Sequence, residues 1–485
     1  MIIKIKNEAL KAYLWDFGGK ISRQLVSFSI SVILARLISP HDFGILASVF
    51  IFTGFSNVFS DMGLSASIIQ RTRNLPIHLH SVFYFNLFIA LLMTLTMFFC
   101  APFFGEYYNE PRLIQLTRVL SVFFLLDAFN TVQNALLKRE LKFNFFAKFR
   151  FISALTSGFC GILFAFLGYG IWALVFQILI ELIIYDILVW KFSSYRPRFQ
   201  FSFKALKSLW RFGFRIFLAK IINNIYNQID VLIIGKLLSF STLGYYQRSK
   251  SLNAMINGYT SESIMNIMFP LLSKIKNNRD EFFDKIIDTY GVILILSFYV
   301  SGLFFLISED LILFFFTERW SFMIIFFKIM VIGGFVLPLN NFFSAVLSSK
   351  GESKVYLKVE ILKKGLYTIP IILLLFFENI QNYLYLNIIV GLLTLLINFY
   401  YVKKTIQLNT IVLFFSMVKY ICFLFFLVVS IELIFSYLNL ENFWSIILIS
   451  LLYSFLYFLL AIFLKLLGTK HLNLILKKIK YVAIK

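Results

Sequence analysis

Apolar and polar positions alternate along this chain on two scales. On the long scale, apolar runs of about twenty residues recur from end to end, the length an α-helix needs to cross a hydrocarbon core of roughly 30 Å. They predict about fourteen transmembrane helices. The first six have approximate cores 13–35, 44–64, 81–104, 113–136, 147–167 and 171–190. The next six are 212–237, 246–271, 290–307, 322–347, 359–377 and 383–401, and two more follow at 411–437 and 443–464. On the short scale, polar residues inside some runs return every three or four positions, which places them on one helical face. Helix one carries Lys20, Arg23, Gln24, Ser27 and Ser31, and helix two carries Thr53, Ser56, Asn57, Ser60 and Asp61. Helix seven carries Lys220, Asn223, Asn224, Asn227 and Asp230, and helix eight carries Asn253, Asn257, Thr260 and Ser261.

The striped helices are related to one another. ILARLISPHDFG at 33–44 returns as IIGKLLSFSTLG at 233–244, with Ile33/Ile233, Leu37/Leu237, Ser39/Ser239 and Gly44/Gly244 in register. Phe17/Phe217, Lys20/Lys220 and Ile21/Ile221 keep the same offset. A weaker echo, ten residues longer, pairs Asn130/Asn340, Ala135/Ala345, Leu137/Leu347 and Lys148/Lys358. An offset spanning an even number of helices gives both halves one orientation, related by an axis along the membrane normal. The expected fold is an all-α polytopic membrane protein, with two six-helix lobes in parallel pseudo-repeat plus two C-terminal helices. The lobes are placed at 1–195 and 212–402, joined by a cytoplasmic or interfacial linker at 196–211. Helices thirteen and fourteen, expected to flank a lipid-facing groove, and a basic tail occupy 403–485.

Polar groups in hydrocarbon are costly and turn toward protein or water. A single Ser or Asn is accounted for by helix–helix hydrogen bonds of about 0.6–2 kcal/mol. Four stripes in matched register, three of them charged, instead point to a water-filled cavity between the halves. Asp230 either pairs with Lys220 or Lys20 or binds a coupling ion. Glu262, Asp127, Glu181, Asp186, Lys328, Lys419 and Glu432 are further buried charges that pair with one another or approach an interface.

Composition agrees: 60% of the residues are hydrophobic and 14% are charged, well under the roughly 25% charged of soluble domains. The net charge of +22 does not indicate nucleic acid. Most Lys and Arg fall in alternate connections, as cytoplasmic loops require, which puts both termini inside. Contact with anionic lipid accounts for the remainder. The first twenty residues lack a short apolar core with a small-residue cleavage site, so no removable signal is expected. Three cysteines in apolar runs and four scattered histidines have no metal-ligand spacing. There is no phosphate-binding glycine loop either, so an enzyme and a bound cofactor are not expected.

The stretches LARLISPHDFGILASVF, FSDMGLSASIIQR, ALLKRELKFNFFAKFR and QIDVLIIGKLLSFSTLGYYQRSKSL resemble the polysaccharide transporter family. That family includes O-antigen and capsule repeat-unit flippases, within the superfamily of multidrug and lipid II exporters. The resemblance covers roughly 15–401. It implies turnover of an undecaprenyl-diphosphate-linked oligosaccharide in a bacterial inner membrane by alternating access, coupled to a proton or sodium gradient or to the membrane potential. Polysaccharide polymerase and chain-length proteins are the implied partners beside the lipid bilayer. Lys20, Arg23 and Lys220 would then meet the diphosphate, with Gln24, Asn57, Asp61, Asn224, Asn227, Asn253 and Asn257 completing the site. Asp230 and Glu262 serve ion coupling or scaffolding. Two alternatives stand beside this reading: a multidrug exporter of the same fold, and a non-transporting scaffold of a polysaccharide-synthesis complex.

Overall fold

A computed structural model describes residues 2–71, 75–140, 142–436 and 442–468. Several helical side chains lie outside the described residues, among them those of 2–17, Lys20, Asn57 and 259–264, which includes Glu262. The described residues form helices and connections, with no strand. Close contacts divide the chain into two units, Met1–Gly244 and Tyr245–Lys485.

Unit 1 holds α1 (Ile2–Leu37), α2 (Pro40–Thr53), α3 (Ser56–Phe59), α4 (Leu64–Gln70), α5 (Pro76–Tyr108), α6 (Arg112–Leu120), α7 (Phe123–Arg139), α8 (Phe143–Phe166), α9 (Ile171–Phe192) and α10 (Phe203–Leu237). The expected helix four is split into α6 and α7 by a turn at Ser121–Val122, and the two run on as one span from Arg112 to Arg139. Helix α10 packs on α2, α4 and α5, so this unit reaches beyond the 196–211 linker expected to divide the chain.

The stretch read as helix two is broken rather than continuous. Between α3 and α4, Met62 and Gly63 take positive φ of 47° and 70°, a region that glycine enters without cost and other residues seldom do. Glycine is required at 63 for a second reason, since a Cβ there would lie 2.1 Å from the carbonyl oxygen of Gly213. The motif SDMGL is therefore a helix break that lets α10 cross α4 backbone to backbone.

The repeated segments at 33–44 and 233–244 both lie in unit 1 and have the same local structure. α1 stops at Leu37 and α2 starts at Pro40; α10 stops at Leu237 and the next helix, α11 (Phe240–Ile275), starts at Phe240. Ser39 Oγ accepts from the Asp42 amide, and Ser239 Oγ accepts from the Thr242 amide, each satisfying a helix-start donor. The two starts then meet reciprocally. A Cβ on Gly44 would fall 1.7 Å from the carbonyl oxygen of Phe240, and one on Gly244 would fall 2.0 Å from that of Pro40.

Unit 2 continues α11 and adds α12 (Arg279–Leu306), α13 (Ser308–Phe316), α14 (Phe322–Ile332), α15 (Val336–Lys350), α16 (Ser353–Phe377), α17 (Ile380–Ile406), α18 (Thr410–Phe435) and α19 (Asn442–Phe463). The last two lie outside the repeat. They pack on α12 through buried tyrosines whose hydroxyls reach backbone oxygens. Tyr457 donates to Ile295 at 2.8 Å and Tyr453 to Tyr299 at 3.1 Å, while Tyr290 on α12 donates to Leu413 at 3.0 Å. In an apolar medium a buried hydroxyl has to find such a partner.

Among the described residues, nine helices are long and apolar enough to cross a membrane, which makes this a multi-pass membrane protein. Helices α1, α10, α11 and α16 are also long, and they carry many of the charged positions.

Candidate functional site

The break at SDMGL positions the first functional side chain. Asp61 Oδ1 accepts from the Ser65 amide at 2.8 Å, capping α4. Its other oxygen accepts from Lys220 Nζ at 2.8 Å, two turns along α10 from the crossing at Gly213. A second ion pair joins α1 to α9, with Arg23 Nη2 at 2.9 Å from Glu181 Oε1.

Both pairs line one cavity of about 460 Å³ within unit 1, in the size range that takes a drug-sized ligand. Its other charged walls are Asp127 and Lys138 from α7 and Arg150 from α8. Four cations thus face three carboxylates. Neutral donors and acceptors fill in between: Ser65, Asn130, Thr131, Asn134, Ser153 and Tyr185. Four groups along one wall form a directional chain. Tyr185 Oη donates to Asn134 Oδ1 at 2.8 Å, Asn134 Nδ2 to Asn130 Oδ1 at 2.5 Å, and Asn130 Nδ2 to Asp186 Oδ1 at 2.6 Å. Each bond polarises the next, and the chain ends on a buried carboxylate. Charges kept at membrane depth around a polar cavity mark a substrate or ion path. Amides and hydroxyls, which both donate and accept, suit sugar hydroxyls, and the cations suit phosphate.

The structure brings Arg23, Asp61 and Lys220 together. Gln24, Asn224 and Asn227 do not line this cavity. The side chains of Lys20, Asn57 and Glu262 lie outside the described residues. Asn253 and Asn257 belong to unit 2, where Asn257 Nδ2 donates to Asn253 Oδ1 at 2.9 Å. Asn257 also packs close to Gly334, the interhelical role open to any polar stripe. Asp230 is buried and its carboxylate accepts from the Val231 amide, whereas Lys220 turns to Asp61 instead.

Lys138, Arg150, Asn130 and Asn134 are cavity residues that the polar stripes do not single out. The ten-residue-longer echo contains the signal. Asn130 matches Asn340, and in unit 2 Asn340 anchors the equivalent polar chain, donating to Thr394 at 3.0 Å and accepting from Asn398 at 2.6 Å.

A family profile described as polysaccharide biosynthesis protein matches residues 33–325, more than half of the chain, and the chain belongs to that family. It is 27% identical over 309 residues to the succinoglycan biosynthesis transport protein ExoT of Rhizobium meliloti (strain 1021), a match covering 64% of this chain and 62% of that protein. The matched stretch is therefore less than two thirds of that relative's length. It is 24% identical over 348 residues to the lipopolysaccharide biosynthesis protein WzxC of Escherichia coli (strain K12), covering 70% of each. Among solved structures, the lipid II flippase MurJ in an inward closed conformation superposes with a TM-score of 0.74 at 15% identity, covering 93% of this chain and 99% of that one. An inward-facing multidrug resistance MATE family transporter gives 0.59 at 14% identity, covering 79% and 94%. At such identities the two structures establish a shared fold.

Proposed function

We propose that this chain is a flippase for a polyprenyl-diphosphate-linked oligosaccharide, moving the repeat unit from the cytoplasmic to the outer leaflet of a bacterial inner membrane by alternating access, without covalent chemistry. The observation that carries the reading is the charged, amide-lined cavity inside a helical membrane unit. Its excess of cations over carboxylates can replace the water around a diphosphate, and its amides and hydroxyls can replace the water around sugars. Membership of the polysaccharide biosynthesis family supports the substrate class. Adding α1, α10, α11, α16 and the broken α2–α4 to the nine apolar spans gives fourteen crossings, an even number that puts both termini on one side, and the Lys and Arg of the alternate connections favour the cytoplasmic side.

The test is translocation in proteoliposomes of a fluorescent polyprenyl-diphosphate disaccharide, read by its accessibility to a membrane-impermeant quencher. Protein-dependent loss of protection is expected, and a rate equal to that of protein-free vesicles overturns the reading. Extrusion of a cationic dye without lipid movement would favour the multidrug alternative, which the three carboxylates would serve.

A further inference from the structure

Two of the four cavity cations already have carboxylate partners, Arg23 with Glu181 and Lys220 with Asp61. The other two differ. Among the described residues, neither Lys138 nor Arg150 is in an ion pair. Each is held against an aromatic ring, Lys138 Nζ at 5.8 Å from the Phe146 centroid and Arg150 Cζ at 5.7 Å from that of Tyr185, and Arg150 also hydrogen-bonds the Tyr185 side chain. Asp127 acts on Arg150 through space. A ring face or a neutral hydroxyl attracts a cation but leaves its charge unneutralised and its other N–H groups open to an anion. A paired cation must first leave its acid, and a charge abandoned in a low-dielectric wall is costly.

Position supports the same assignment. Lys138 lies in the last turn of α7, and Arg150 lies seven residues into α8, about 10 Å along its axis. The connection between the two helices is only 140–142. Both side chains therefore sit near one end of their spans, toward the depth at which the phosphates of a membrane lipid lie. Tyr185, under Arg150, begins the hydrogen-bonded chain through Asn134 to Asp186, so a group attached to an anion at Arg150 meets amides next.

The repeat supplies an internal control. Arg150, Ser153 and Asn134 correspond, 210 residues on, to Glu360, Lys363 and Ser344 of unit 2. There Lys363 Nζ is 2.5 Å from Glu360 Oε1 and donates to Ser344 Oγ at 2.9 Å, and Ser344 donates back to Glu360 at 2.8 Å. The same place is self-neutralised in one unit and left cationic in the other.

We propose that Lys138 and Arg150 form the seat for the substrate's diphosphate, while Arg23 and Lys220 hold the cavity walls through their acids. This inference rests on the flippase reading and moves the anion site away from the stripe on helix one. The probe is geranylgeranyl diphosphate, titrated into the full-length protein in detergent and followed by calorimetry, with geranylgeraniol and phosphatidylglycerol as comparison ligands. The wild type is expected to bind the diphosphate, with both comparison ligands at least tenfold weaker. The Lys138→Gln/Arg150→Gln double variant should lose at least tenfold in affinity, and Lys138→Arg/Arg150→Lys should stay within about threefold. If the Gln double variant aggregates on size exclusion, Lys138→Gln alone is read, and at least a threefold loss is expected. A Gln variant that binds within experimental error of the wild type overturns the seat while leaving the flippase reading in place. Equal binding of phosphatidylglycerol overturns its assignment to a diphosphate. A wild type that binds no polyprenyl diphosphate sinks both readings together.

Discussion

In unit 1, Asn134 and Arg150 face a polar cavity; in unit 2, the residues 210 positions later, Ser344 and Glu360, close onto Lys363 with every charge matched. Unit 2 also ties α12 to α18 and α19 with tyrosine hydroxyls donated to backbone oxygens. One repeat thus supports two treatments of buried charge. Where the charges are matched among themselves, they contribute to holding helices together. Where cations exceed acids around a cavity, the excess is available to a ligand. The comparison predicts that equivalent substitutions in the two units separate stability from transport.

The largest effect is expected from Lys363→Ala. Lys363 is 7% exposed, and removing it leaves the half-buried Glu360 carboxylate with only the Ser344 hydroxyl, a loss of about 3 kcal/mol, the upper end for a stranded polar group. Thermal unfolding of the purified protein in detergent would register this. The double replacement Lys363→Met/Glu360→Leu should recover most of it, because apolar isosteres of a buried pair are often neutral. At the equivalent place in unit 1, Arg150→Gln should leave the unfolding temperature within a degree or two and abolish lipid translocation. Equal destabilisation at both places would erase the distinction.

Backbone approach offers the next contrast. Gly44→Ala drives a methyl into the Phe240 carbonyl, and overpacking of this kind costs about 1–3 kcal/mol. Around Gly365 on α16, a Cβ would meet nothing within 4 Å, so Gly365→Ala should be neutral or stabilising by about 0.5–1 kcal/mol. Both are read as shifts in unfolding temperature, downward for Gly44→Ala and zero or upward for Gly365→Ala.

These contrasts also explain what is legible in the sequence. Arg23, Asp61 and Lys220 stand out because charge at membrane depth is expensive, so its helical periodicity carries information. The same periodicity at Asn253 and Asn257 points to the cavity as well, yet these two bond each other. A cavity wall and a helix interface both need polar residues every third or fourth position, and the pattern is identical for either. Lys138 and Arg150 escape for the opposite reason. They stand near helix ends, where cytoplasmic orientation already accounts for Lys and Arg, so nothing local marks them as functional. The Arg23–Glu181 pair joins residues 158 apart, a distance no local pattern reports. The helix break at Met62–Gly63 is hidden because SDMGL sits inside an otherwise apolar run, and the glycine's role depends on Gly213 from a distant helix.

A smaller effect tests the tyrosine clamps of unit 2. Tyr453→Phe removes a hydroxyl whose acceptor, the Tyr299 carbonyl, lies inside a helix, so the loss should be about 0.5–1.5 kcal/mol. Its measured unfolding temperature should fall by a few degrees at most, with translocation unchanged. A variant that lost transport while keeping its stability would draw the C-terminal helices into the mechanism.

The smallest effect is a pair of opposite pH slopes, one from each unit, at groups outside the membrane spans. In unit 1, hydrogen bonding from Arg112, at 2.9 Å from Glu110, holds the Glu110 carboxyl below its ordinary range. A folded-state value below the unfolded one contributes stability that is present above the unfolded value and lost as pH falls through the folded one. In unit 2, burial lifts the Asp310 carboxyl, and the Ser445 hydroxyl at 2.6 Å only partly offsets this. A raised value works the other way: its contribution is full below the unfolded value and disappears as pH rises through the folded one. Between about pH 3 and 6, where carboxylates titrate, the stability of the wild type relative to Glu110→Gln should therefore fall on acidification, and that relative to Asp310→Asn should rise. Exposed pairs contribute about 0–1 kcal/mol, so both slopes will be shallow and their signs are the quantity to measure by thermal unfolding across that range. Slopes of the same sign would show that the two units do not differ in how they hold charge at their surfaces, and would confine the contrast between them to the cavity and its neutralised counterpart.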